Sequence, residues 1–132
     1  MSSSSVLRNS DAIIAIDARG FIFGSAISFH LSKPLIVARK PGKLPGELIS
    51  KSYDLEYGTA ALELQPWNGT NGMNKVVIVD DVLATGGTLQ ATNDLAKEAG
   101  YKVVGNLVLV DLEYVPRVDN FNLDVRSVIQ YG

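Results

Sequence analysis

The chain has 132 residues, with 12 Lys and Arg against 14 Asp and Glu and a formal charge of −2. Hydrophobic residues make up 46 % and charged residues 20 %, a globular balance that excludes a disordered chain, a collagen-like repeat and a coiled coil. Without cysteine and with a single histidine, His30, there is no disulfide framework, thiol nucleophile or Cys- or His-rich metal site.

The length fits one domain spanning 1–132, with residues 1–10, including the Ser2–Ser5 run, expected to be disordered or irregular. Ala12–Ile16 is a short apolar run ending in Asp17, Arg19 and Gly20, which reads as a buried strand emptying into a loop. Phe21 to Leu31 has helical spacing and stops before Pro34; Leu35–Ala38 reads as a second buried strand. Arg39–Gly46 holds three basic residues, two prolines and two glycines in eight positions, a loop composition. From Glu47 to Gln65 alternating Tyr53, Leu55, Tyr57 and then Ala61, Leu62, Leu64 predict a hairpin turning near Gly58. Val76–Val79 predicts a strand, Thr88–Ala99 a helix closed by Gly100, and Val103–Val110 and Val125–Gln130 two more strands. Strands alternating with helices predict an α/β fold with a parallel sheet covered on both faces.

The balanced charge offers no basic surface for nucleic acid. No apolar run approaches the roughly 20 residues of a membrane helix, and Met1–Ser5 lacks the basic and apolar regions of a secretory signal. A soluble cytoplasmic protein is expected, with no nucleic-acid or membrane partner.

The sharpest chemical feature is Val76-Val-Ile-Val-Asp-Asp-Val-Leu-Ala-Thr-Gly-Gly-Thr88. In a parallel sheet, ligands bind at the carboxyl ends of strands. Gly86 and Gly87 let backbone approach a ligand closely, and the N–H groups of a helix start favour an anion. Ala84, Thr85, Gly86, Gly87 and Thr88 are therefore expected to hold a phosphate. Asp80 and Asp81 would repel phosphate, but suit sugar hydroxyls or a bound Mg²⁺. Together they point to a sugar phosphate.

This string resembles the phosphoribosyl diphosphate motif of type I phosphoribosyltransferases. Ala15–Gly24, Arg39–Gly46 and Ser52–Gly58 look like segments of the adenine phosphoribosyltransferase family, in the same order. The resemblance covers about Ile13 to Asp111 and implies a single-domain, parallel-sheet type I fold with a hairpin lid. Family members have a longer N-terminal region with a hood over the purine. About eleven residues precede Ala12 here and none resembles that segment, so the hood is expected to be reduced or absent.

The implied activity is purine salvage, joining adenine to phosphoribosyl diphosphate to give AMP and pyrophosphate. Two alternatives stand beside it: an impaired or regulatory module binding phosphoribosyl diphosphate or nucleotide, and a hypoxanthine- or xanthine-type transferase. By resemblance, Ala18, Arg19 and Gly20 bind pyrophosphate, in a loop where the family often has a non-proline cis peptide, here Asp17–Ala18. Arg39, Lys40 and Lys43 match basic residues that approach pyrophosphate, some across a dimer interface. Ala84–Thr88 would hold the 5′-phosphate and Asp80 and Asp81 the ribose. Glu56 is the implied catalytic acid or base, Tyr57 its companion in the lid, and Leu112 the apolar contact to the base. Mg²⁺ is the implied cofactor, held mainly through the substrate, and the implied assembly is a homodimer. Trp67 is expected to pack under its loop; Glu113, Tyr114 and Arg117 receive no role.

Overall fold

The structure is a computed structural model and describes residues 3–55, 58–69 and 72–132. Five strands form one parallel sheet: β1 (Ala12–Ile16), β2 (Leu35–Ala38), β5 (Lys75–Leu83), β6 (Lys102–Leu112) and β7 (Val125–Tyr131), in the order β2-β1-β5-β6-β7. β3 (Ile49–Leu55) and β4 (Gly58–Leu64) form a separate antiparallel hairpin.

β1 and the apolar part of β5 are buried throughout, and their side chains alternate between two cores. Ile13, Val77 and Val79 face one core with Val6, Phe23 and Ile27. Those last three come from α1 (Ser3–Asn9) and α2 (Gly20–Leu31). Ile14, Ile16, Val76 and Ile78 face the other, with Leu89, Leu95 and Ala96 of α3 (Gly87–Glu98) and Leu62 and Leu64 of the hairpin. Helices thus cover both faces, as the alternating pattern predicts. Gly24 lets α2 lie close on β1: a Cβ there would come within 2.6 Å of the Ala15 Cβ.

Residues 3–9 correct the expectation of an irregular N-terminus, because they form α1. Two contacts distant in sequence hold it. Val6 sits over Gly105 of β6, where a Cβ would meet its Cγ1 at 2.2 Å. The Lys33 ammonium donates to the carbonyls of Leu7, Arg8 and Ser10, satisfying the helix's C-terminal acceptors.

β5 and β6 also run further than their apolar cores. β5 continues through Asp80 and Asp81 to Leu83, and β6 through Asp111 to Leu112. Trp67 packs edge-on to Tyr101 at 5.9 Å between ring centroids, in the expected packing role.

The strand order reverses between β1 and β5. β1 is followed by a neighbour on one side and β5 opens the run on the other. The loops leaving these two adjacent strands diverge at their carboxyl ends and leave a crevice, which is the usual binding position of such sheets.

Candidate active site

The crevice is a cleft of about 260 Å³, lined by residues 16–19, residues 80–89 and Tyr53. The first loop turns at Asp17–Ala18, whose peptide is cis, as the resemblance implies. Asp17 is buried and accepts hydrogen bonds from Arg39 Nε and Lys40 N, each at 3.3 Å. This carboxylate ties the loop to the end of β2. Gly20 opens α2 against β5. A Cβ at this position would stand 3.1 Å from both Asp80 Oδ1 and the Val79 carbonyl, so the close approach of the loop to the acids needs glycine.

Asp80 and Asp81 are consecutive strand residues, and their side chains alternate. Arg19 Nε lies 3.2 Å from Asp81 Oδ2; the arginine side chain is 81 % exposed and the aspartate 21 %. Asp80 Oδ1 accepts from the Asp81 N–H at 2.8 Å. Burial pushes the Asp80 carboxyl up to about 7; the Asp81 carboxylate adds to the rise, while the Asp81 N–H and the Arg19 charge oppose it.

Residues 84–86 form the second loop, and α3 begins at Gly87. Gly86 has φ +84°, in the left-handed region that glycine occupies without strain. The Thr88 hydroxyl donates to Tyr53 Oη at 3.4 Å, bringing the hairpin against the helix start. The start of α3 with Thr85 and Thr88, the two carboxylates and the Arg19 guanidinium thus line one cleft, and backbone N–H groups at a helix start favour an anion.

The cleft thus brings together Ala18, Arg19, Asp80, Asp81, Ala84, Thr85, Gly86, Gly87 and Thr88. Other expected residues lie elsewhere. Lys40 lines a neighbouring groove with Asp17, Ser52 and Tyr53. Arg39 is engaged with Asp17 and stands over the Phe21 ring. Lys43 lies exposed on the connection after β2, and Leu112 ends β6; neither lines the cleft. Glu56 and Tyr57 lie outside the described residues. Tyr53, which the sequence reading did not single out as a site residue, lines the cleft; its signals are its place in an alternating strand and inside the family-like segment Ser52–Gly58.

Among the described residues no group of three or more carboxylate or imidazole side chains is arranged to hold a metal. The two acids of the cleft, Asp80 and Asp81, would suit a cation that takes most of its oxygens from substrate and water, which is how Mg²⁺ usually binds. No helix among the described residues is long and apolar enough to cross a membrane.

Residues 3–119 match the family described as phosphoribosyl transferase domain. An adenine phosphoribosyltransferase of Prochlorococcus marinus (strain MIT 9515) is 58 % identical over 131 residues, covering 99 % of this chain and 76 % of the relative. The chain belongs to the adenine phosphoribosyltransferase family. The crystal structure of adenine phosphoribosyltransferase from Thermoanaerobacter pseudethanolicus superposes with a TM-score of 0.83 at 38 % identity, covering 97 % of this chain and 76 % of that one. The Saccharomyces cerevisiae adenine phosphoribosyltransferase, complexed with an imino-altritol bisphosphate and adenine, gives a TM-score of 0.79 at 30 % identity, covering 90 % and 67 %. Within this family fold, the cleft between β1 and β5 is where residues 84–88, Asp80, Asp81 and Arg19 converge.

Proposed function

We propose that the chain transfers the phosphoribosyl group of phosphoribosyl diphosphate to adenine, giving AMP and pyrophosphate. The observation that carries this reading is that residues 84–88, the carboxylates of Asp80 and Asp81, and Arg19 line one cleft at the switch point of the sheet. The 5′-phosphate fits the N–H groups and hydroxyls of residues 84–88, the ribose diol fits Asp80 and Asp81, and the pyrophosphate fits Arg19 with the N–H groups of Ala18 and Gly20.

In the reaction, the C1–oxygen bond to pyrophosphate breaks, a bond to a ring nitrogen of adenine forms, and the nitrogen loses its proton. Negative charge grows on the leaving pyrophosphate, and Arg19, mostly exposed and paired with Asp81 among the described residues, is the group of the cleft that would meet it. The Arg19–Asp81 pair is of the exposed kind worth about 0–1 kcal/mol, so substrate exchanges for it at little cost. Lys40 approaches from the neighbouring groove. Lys43, which does not line its own cleft, is assigned to a partner's site in a homodimer. Mg²⁺, when bound through the substrate's oxygens, supplies neutralisation of the same charge. The hairpin carrying Glu56 and Tyr57 serves as the lid that keeps water from the activated sugar, with Glu56 as the acid or base. Leu112 is kept as the apolar contact to the base.

The exposed stripe of α2 supports the homodimer. Ile22 is 81 % exposed and Phe29 88 %, seven residues apart on one helical face with Ser25 and Ala26 exposed between them. A helix apolar on all sides is normally covered.

The relatives' names specify adenine, which supports this base over hypoxanthine or xanthine and an enzyme over a binding module. The test is an AMP-forming assay with phosphoribosyl diphosphate and Mg²⁺, run in parallel with adenine, hypoxanthine and guanine. Turnover confined to adenine is expected. Turnover with another base alone, or folded protein without turnover, refutes the assignment.

A further inference from the structure

The connection from β6 to β7 passes behind the phosphate loop, and Arg117 lies in it. The guanidinium is largely buried, with 24 % of the side chain exposed. Nη1 donates to the Ala84 carbonyl, and to those of Leu112 and Val115 at 3.1 and 3.2 Å. Nη2 pairs with the Asp111 carboxylate at the end of β6. The guanidinium carbon stands 5.8 Å from the centroid of the Phe121 ring. The next residue, Val118, donates its N–H to the Thr85 carbonyl at 2.8 Å. The Phe121 ring in turn fills the space beside Gly86, where a Cβ would meet it at 2.5 Å.

Three successive loop residues are therefore gripped from outside the cleft. The consequence follows from peptide geometry. In a trans peptide the C=O and the following N–H point in opposite directions. Holding the Ala84 carbonyl on Arg117 and the Thr85 carbonyl on Val118 turns the N–H groups of Thr85 and Gly86 the other way. Among the described residues neither N–H has a hydrogen-bond acceptor. Arg117 itself does not line the cleft.

We propose that Arg117 is a positioning residue for the 5′-phosphate: it fixes the orientation of the Ala84–Gly86 backbone so that the loop's N–H groups meet the phosphate already aligned. The inference rests on the reading that this loop binds the 5′-phosphate. Arginine suits the task because its planar fork serves several carbonyls and a carboxylate at once, which a lysine ammonium on a flexible stem does not reproduce. Without it, the Ala84 carbonyl loses a charged donor. That peptide is then free to rotate, and its oxygen would face the phosphate and repel it.

The experiment is calorimetric titration of AMP and of adenosine into the wild-type chain, Arg117→Ala and Arg117→Lys, with thermal unfolding of each. The two ligands differ only in the phosphate, so their affinity ratio reads the loop. In Arg117→Ala the ratio is expected to fall roughly tenfold or more, the size of one lost charged hydrogen bond, while adenosine affinity stays. Arg117→Lys is expected to lie between the two. A merely structural role would weaken both ligands together. A wild-type ratio in Arg117→Ala, or in Arg117→Lys where the alanine variant does not fold, overturns the positioning role but leaves the phosphate site intact. A ratio near one in the wild-type chain overturns the phosphate site and the inference with it.

Discussion

Arg19 Nε stands 3.2 Å from Asp81 Oδ2, so the cation proposed for the pyrophosphate is paired with one of the two anions proposed for the ribose. Each substrate group must separate this pair to reach its own partner. Asp81→Asn therefore has two opposite effects. It removes a charged acceptor from the ribose diol, and AMP binding is expected to weaken by roughly tenfold or more. It also releases Arg19, so pyrophosphate binding is expected to hold or tighten. Calorimetry with the two ligands separates these effects. A parallel loss of both would mean that Asp81 only shapes the cleft.

The Asp80 carboxyl, pushed by burial to about 7 from 3.8, makes stability depend on pH. Between these values the native chain holds a proton that the unfolded chain has released. The stability from this group is complete below pH 3.8 and is lost as pH rises through about 7. Asp80→Asn stays neutral throughout and escapes the loss. Its melting temperature is expected to exceed the wild type by a few degrees at pH 8, on the order of 1 kcal/mol, with the gap closing towards pH 4. Curves that run parallel from pH 4 to 8 would contradict the buried carboxyl.

What was legible in the sequence follows the range of the interactions. β1 and β2 end where their apolar runs end, because each is a short, unambiguous local pattern, β1 buried inside the sheet and β2 half-buried at its edge. β5 overruns its apolar run because Asp80 and Asp81 line the cleft at its carboxyl end, and β6 because Asp111 is held there by Arg117; at neither end does the strand need an apolar side chain. The loop and helix start at residues 84–88 were readable as a unit because all their parts are contiguous. α1 was not: a serine-rich stretch becomes helical through Lys33 and Gly105, about 25 and 100 residues away. Arg117 was opaque for the same reason, since its partner Ala84 is 33 residues distant. Leu112 and Lys43 match the family's pattern in sequence, yet the cleft of the single chain does not include them.

If α2 forms the contact between two copies, its exposed aromatic is the residue to change. Phe29 is 88 % exposed, and a buried interface aromatic contributes about 2 kcal/mol or more. Phe29→Glu is expected to turn a dimer into a monomer in sedimentation velocity, with its melting temperature close to that of other monomers of the chain. A wild-type chain that stays monomeric at every concentration, or a variant that still dimerises, would place the contact elsewhere or remove it.

Gly86 lines the cleft and Gly20 stands beside it against Asp80; each is glycine for a different reason, and substitution separates them. At Gly86 the backbone has φ +84° and the Phe121 ring occupies the Cβ position. Alanine there meets conformational strain and a clash at once. At Gly20 only crowding opposes a side chain, from Asp80 Oδ1 and the Val79 carbonyl, each at 3.1 Å. Relief requires α2's first turn to lift from β5 by a few tenths of an ångström, carrying Arg19 away from the acids. Gly20→Ala is therefore expected to cost little stability, within the roughly 1–3 kcal/mol of ordinary overpacking. It should nonetheless lower kcat/KM for phosphoribosyl diphosphate by roughly tenfold, because misplacement of a charged group by under an ångström is felt in the transition state. Arg19 is proposed to meet the charge that grows on the pyrophosphate as its bond to C1 breaks, so kcat should fall more than KM rises. An alanine variant with wild-type kinetics would show that the loop's close approach to Asp80 is a packing detail and not part of the catalytic geometry.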